Sequence, residues 1–204
     1  MAVYKTSNSG LLTRREYTSF LAGNEQFIPW APSGAYDSIA TTTLTTSTAD
    51  ITFSSIPSTY THLQIRFLAK SSNSATATDN LAFRFNSDTG GNYTRHYLDG
   101  SGTSATAGAN TGVTQVYATC AQTSPTYPSA FGVGVLDILD YTNTNKYTTT
   151  RALSGADFNG TGGAIQFTSG LWLNTAAITS INIRALSGNL TQYSQFALYG
   201  IRGN

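Results

Sequence analysis

The amino-acid sequence predicts an all-β fold, an antiparallel β-sandwich or jelly roll, with a short N-terminal helical or extended anchor segment. Apolar and polar residues alternate with a period of two in several short runs, which is the pattern of half-buried strands. Clusters of Gly, Asn and Asp, which favour turns, separate these runs. Aromatic residues make up 12% of the chain and charged residues 10%, so the chain can build a core and differs in composition from disordered segments.

Composition and charge exclude several classes of function. The chain of 204 residues has a formal net charge of +1, so its composition gives no support to binding of a nucleic-acid backbone. No apolar run approaches the roughly 20 residues of a membrane-spanning helix. Residues 1–12 lack the apolar centre of a signal peptide. The single cysteine, Cys120, excludes an internal disulfide framework.

The first element is an anchor segment of residues 1–33, which precedes a sandwich domain of residues 34–204. Thr13 and Glu16 fit a capping box, and the spacing predicts a short helix from about Arg14 to Ala22. Such a short helix is marginal in isolation, so it must dock on its own sandwich, on a sister subunit or on a larger assembly. The candidate anchor side chains are apolar or aromatic: Tyr17, Phe20, Leu21, Phe27, Ile28 and Trp30.

Roughly eight to ten short strands follow at the spacing typical of a sandwich. The alternation is clearest in residues 62–69, 81–86 and 181–185. Weaker runs are residues 50–53, 93–98, 113–118, 147–153, 164–167 and 195–201. The run from Phe131 to Leu139 is apolar on both faces apart from Asp137, which predicts a central strand covered on both sides.

The connections between these runs carry turn-forming residues. Residues 86–92, 141–146 and 155–163 are rich in Gly, Asn and Asp, which tolerate turn conformations. Residues 98–112 contain Gly, Ser, Thr and Ala, and this composition predicts a long exposed loop. The two loops 98–112 and 155–163 are therefore candidates for contact with a partner.

Candidate catalytic residues are few, and we expect no enzyme, no cofactor and no metal site. His62 and His96 fall on the polar phase of their strands, which predicts surface histidines. Cys120 is interpreted as a buried, inert thiol. Neither a nucleophile elbow nor a zinc-protease motif is present.

Two aspartates and one tryptophan leave alternatives open. Asp137 and Asp140, followed by Asn143 and Asn145, could supply oxygen ligands to Ca²⁺. The two aspartates could also act as the carboxylate pair of a glycan depolymerase. Residues three apart on a strand point to opposite faces, which disfavours a shared cleft. For Trp172 we favour packing in the core over stacking on a sugar ring.

Four phrases of the sequence resemble virion structural proteins of tailed phages, including cyanophages. They are residues 51–66 (ITFSSIPSTYTHLQIR), 83–93 (FRFNSDTGGNY), 170–181 (GLWLNTAAITSI) and 192–201 (QYSQFALYGI). The resemblance covers about residues 34–203 and leaves the anchor segment outside it. It implies a jelly-roll or lectin-like sandwich on a particle surface and carries no catalytic residues.

The resemblance implies a non-enzymatic virion structural protein, made in the host cytoplasm and docked on other virion proteins through residues 1–33. A tail fibre or baseplate component that contacts host surface glycan is favoured over a capsid decoration, or cement, protein. By analogy we expect a homotrimer or another homo-oligomer, with no nucleic-acid partner and no membrane insertion. A free carbohydrate-binding module is a further alternative.

Overall fold

The structure is a computed structural model that describes residues 4–5, 11–12, 35–122, 127–159 and 162–203. The chain divides into two compact units, Met1–Ala35 and Tyr36–Asn204. In the first unit, β1 (Tyr4–Lys5) and β2 (Leu11–Leu12) form an antiparallel pair. The predicted helix near residues 14–22 and the six candidate anchor side chains lie outside the described residues.

The second unit confirms the predicted all-β antiparallel sandwich. Its described strands are β3 (Tyr36–Thr43), β4 (Asp50–Phe53), β5 (His62–Ala69), β6 (Thr78–Phe85), β7 (Tyr93–Gly100), β8 (Ala105–Val113), β9 (Val116–Gln122), β10 (Gly132–Leu139), β11 (Thr148–Asp157), β12 (Gly163–Trp172), β13 (Ile181–Ala185) and β14 (Gln195–Ile201). An eight-stranded sheet has the order β3-β14-β5-β10-β11-β12-β7-β8, and a four-stranded sheet has the order β4-β13-β6-β9. Across this described part, no helix has the length and apolar character of a membrane span.

The core lies between the two sheets and is filled by the inward residues of alternating strands. The side chains of Leu63 and Ile65 on β5 and of Phe83 on β6 are fully buried, as the alternation predicts. Trp172, at the end of β12, is 1% exposed and contacts Phe85 edge-on at 5.6 Å between ring centroids. The prediction that Trp172 packs in the core is therefore confirmed.

The predicted loop of residues 98–112 is wrong over most of its length. β7 continues to Gly100 and β8 begins at Ala105, so residues 101–104 alone connect the two strands. β8 is an edge strand exposed on both faces. Because neither face of such a strand is buried, its sequence shows no alternation of apolar and polar residues. The predicted run 113–118 is divided too, because the chain leaves the larger sheet at Val113 and enters the smaller one at Val116.

The prediction for β10 is correct in position and wrong in burial. β10 lies between β5 and β11 in the larger sheet, so it is a central strand. Its inward residues Leu136 and Ile138 are buried, whereas Val133 is 52% exposed on the opposite face. The four-stranded sheet covers one face only, so apolar residues on the other face of β10 remain exposed.

Candidate functional site

Large apolar side chains form a continuous patch on the outward face of the eight-stranded sheet. Strand pairing places Leu153 of β11 opposite Phe167 of β12, and Phe167 opposite Leu98 of β7. In the neighbouring row, Leu68 of β5 lies opposite Val133 of β10. We call the following six residues the apolar face: Leu68, Leu98, Val133, Leu153, Ile165 and Phe167. Their exposure ranges from 37% for Leu68 to 58% for Ile165.

The polarity of β11 and β12 is inverted relative to an ordinary surface strand. In β11, Ser154 is 4% exposed whereas its neighbour Leu153 is 48% exposed. In β12, Gln166 and Thr168 are buried on either side of the exposed Phe167. An antiparallel sheet with one solvated face normally places its polar residues outward. The apolar face is therefore the part of this sheet whose polarity departs from that of an ordinary solvated surface.

A groove of about 1420 Å³ borders the apolar face. Its lining includes Val133, Leu153 and Ile165, and the turn from Ser101 to Thr103 also contributes to it. Pockets for small molecules usually enclose about 300–1,000 Å³. The larger volume favours a macromolecular contact over a small-molecule site.

A row of charged and amide side chains lies beside the apolar face. The Arg151 guanidinium is 2.7 Å from Oδ2 of Asp137. Gln64 donates from Nε2 to Oδ1 of Asp137 at 2.7 Å, and Arg66 donates from Nε to Oε1 of Gln64 at 2.9 Å. Asp137 neutralises Arg151, whereas Arg66 is held by the neutral amide of Gln64, so among its described residues this row carries one unpaired positive charge where the apolar face ends.

The two aspartates considered from the sequence have different partners. Asp137 pairs with Arg151, whereas Asp140, just after β10, pairs with Lys146 and lies 3.3 Å from Nδ1 of His62. The hydrogen bond from Lys146 lowers the pKa of the Asp140 carboxyl, against the opposing effect of burial. Both acids therefore lie in ion pairs, and this arrangement differs from a carboxylate pair that shares one cleft.

The remaining sequence candidates do not converge on one site. His96 is exposed on β7, and the side chain of His62 is 32% exposed. The side chain of Cys120 lies outside the described ones. Within residues 35–122, 127–159 and 162–203, no group of three or more His, Cys, Asp or Glu could hold a metal ion.

The comparisons with protein-family models, with curated proteins and with solved structures found no match. The resemblance of four sequence phrases to phage virion proteins therefore stays a prediction. The apolar face was missed from the sequence, although the apolar phase of residues 164–167 was visible there. The alternation identifies two faces of a strand, and it does not tell which of them the second sheet covers.

Proposed function

We propose that this chain is a non-enzymatic structural protein of a phage virion, a tail fibre or baseplate component in host attachment, whose sandwich packs against a second copy through the apolar face. The apolar face, with polar residues buried behind it, is the observation that carries the proposal. Monomeric soluble proteins rarely expose contiguous apolar patches of this kind. The resemblance of the sequence phrases supplies the phage context.

A second copy fits this face for two reasons. The exposed side chains are aliphatic or aromatic, so the free energy falls when two such surfaces pack together and leave water. Asp137 and Arg151 neutralise each other within one chain, so the single charge of Arg66 is the one left in the described part of this row to repel a like face. A two-fold contact uses the same patch on both subunits, which is the commonest arrangement in homo-oligomers.

Residues 1–33 are assigned the link to other virion proteins. The division of the chain into compact units at Ala35 and Tyr36 supports a design in which an anchor and a contact module are separable. A tail location leaves the sandwich available to host surface glycan. Many copies on one particle would also strengthen weak contacts through avidity.

The proposal is tested on particles purified from cells that carry the gene. Antibody labelling of intact particles is expected to mark the tail, and labelling of the head would contradict the tail assignment. A chain without residues 1–33 is expected to keep the far-UV spectrum of a β protein and to be absent from particles. Normal incorporation of this truncated chain would overturn the anchor role.

A further inference from the structure

A second cluster of side chains lies away from the apolar face, where the edges of the two sheets meet. β9 is the edge strand of the four-stranded sheet, and β7 and β8 end the eight-stranded sheet. Arg95 of β7 reaches Tyr117 of β9, and Asn110 lies opposite Arg95 on β8. We call Arg95, Tyr97, Asn110 and Tyr117 the Arg95 cluster.

The Arg95 guanidinium is held between two tyrosine rings. Its carbon atom lies 4.9 Å from the ring centroid of Tyr97 and 4.2 Å from that of Tyr117. Nε donates to Oδ1 of Asn110 at 2.8 Å. Nη1 is shielded from solvent and has no hydrogen-bond partner. A shielded N–H of a cation without an acceptor is costly, so the geometry indicates a missing acceptor.

The charge around the cluster is positive and uncompensated. Arg84 donates from Nη2 to Oε1 of Gln115 at 2.8 Å, and Gln115 donates from Nε2 to the hydroxyl of Tyr117 at 2.7 Å. This chain of contacts links the two arginines through neutral groups. In the described part of the protein, neither Arg84 nor Arg95 takes part in an ion pair.

Arg66 provides an internal comparison for Arg95. Its guanidinium also lies near two tyrosine rings, 5.5 Å from Tyr36 and 5.4 Å from Tyr199, and its Nε donates to the side-chain oxygen of Gln64. Gln64 in turn donates to Asp137, whose other oxygen pairs with Arg151, so a carboxylate lies one amide away from Arg66, although Arg66 itself forms no ion pair with the described residues. The Arg95 cluster has the same cation and rings, but among its described contacts no carboxylate takes that place, and Nη1 of Arg95 is left without a hydrogen-bond partner.

We propose that the Arg95 cluster binds the carboxylate of an acidic sugar, a uronic acid residue in a surface polysaccharide. This inference rests on the proposed attachment function and names the chemistry of its ligand. A guanidinium is suited to a carboxylate because its N–H groups are charged donors. Nε is already bonded to Asn110 and Nη1 is shielded, so the carboxylate would pair with the two Nη groups after a tyrosine ring moves aside. The neighbouring amide of Asn110 and the tyrosine hydroxyls supply hydrogen bonds for sugar hydroxyls.

Calorimetric titration of the full chain with oligogalacturonate tests the inference, with neutral oligogalactose and polyglutamate as parallel probes. Saturable binding is expected for oligogalacturonate alone, weakened by about tenfold or more in Arg95→Gln because a charge-assisted pair is lost. Arg66→Gln is the matched control and is expected to leave the affinity unchanged. Equal binding of the neutral sugar, binding of polyglutamate alone, or no binding would overturn the inference.

A second variant guards against a folding defect in Arg95→Gln. Asn110 is exposed on the edge strand β8, and Asn110→Ala is expected to weaken oligogalacturonate binding several-fold, because the Arg95 guanidinium loses its positioning contact, while the thermal midpoint is kept. The site would be contradicted if Asn110→Ala kept the wild-type affinity and a folded Arg95→Gln variant also bound oligogalacturonate as tightly as wild type. This titration needs no particle, so its failure is distinguishable from failure of the particle labelling.

Discussion

At the scale of single residues, Asp88 links the turn between β6 and β7 to the core by hydrogen bonds. Its Oδ2 accepts a hydrogen bond from the Trp172 indole at 2.8 Å, and its Oδ1 accepts one from the Gly90 backbone at 2.9 Å. Burial opposes ionisation of this carboxyl, but the hydrogen bonds from Trp172, Asn92 and Gly90 outweigh burial and lower its pKa. The folded state therefore favours the ionised form.

We predict that Asp88→Asn lowers the free energy of unfolding at neutral pH by about 1–2 kcal/mol, because one acceptor oxygen replaces a charged pair of oxygens. The lowered pKa makes the contribution of Asp88 complete at neutral pH and lost as the pH falls through that pKa. The difference between wild type and variant should therefore shrink from about pH 5 to about pH 2. Urea unfolding at a series of pH values measures this difference.

Asp50→Asn serves as the control, since Asp50 is exposed on β4. A difference in unfolding free energy between wild type and Asp88→Asn that stays constant with pH would contradict the role given to the ionised carboxylate.

The contact between Asp88 and Trp172 could not be predicted from the sequence. Asp88 and Trp172 are 84 residues apart, and local patterns predict burial of an indole without naming the acceptor of its N–H.

At the scale of elements, the approach of β9 to β12 depends on a glycine. A Cβ atom at Gly170 would lie 2.2 Å from Cγ1 of Val116 and 2.5 Å from Oγ1 of Thr150. Close packing of this kind has no room for an added methyl group. The two sheets can meet here because the inward side of β12 has no side chain at this position.

We predict that Gly170→Ala destabilises the sandwich by about 1–3 kcal/mol, the usual cost of overpacking a core. Gly100→Ala is the matched control, because its added Cβ would meet only the Cγ2 end of the Ile165 side chain, at 3.2 Å. Denaturant midpoints of both variants compare the two sites. Equal midpoints would show that β9 can move away from β12 without cost.

The strands that the sequence predicts best are those with one buried and one exposed face. β5, β13 and β14 follow their predicted alternation because each is covered by the opposite sheet on one side. β3 and β8 were missed, and both lie at the edges of the larger sheet. Edge strands rich in Thr, Ala and Gly carry little apolar contrast, so their pairing depends on a neighbouring strand that a local pattern does not reveal.

At the scale of the whole molecule, the main feature is the mismatch between the two sheets. The larger sheet has eight strands and the smaller one has four, so in the described part of the chain the margins of the larger sheet extend beyond the smaller one. The apolar face lies on the side of the larger sheet that faces away from the smaller one, and the Arg95 cluster lies at one margin. Neither could be predicted from the sequence, because both depend on which strands the smaller sheet covers.

The apolar face gives a direct prediction for oligomeric state. Phe167→Asp places a charge at the middle of a proposed contact between copies, where an unpaired buried charge is costly. The variant is expected to dissociate with its fold intact. Thr149→Asp is the matched control, because Thr149 is exposed on β11 outside the apolar face, and it should leave the assembly unchanged.

Light scattering of the full chain after gel filtration tests the central claim most directly, namely that the apolar face is a contact between copies. We expect wild type and Thr149→Asp to have the mass of at least two chains, and Phe167→Asp to have the mass of one. A wild-type protein with the mass of a single chain at every concentration measured, or a Phe167→Asp variant with the wild-type mass, would contradict the claim.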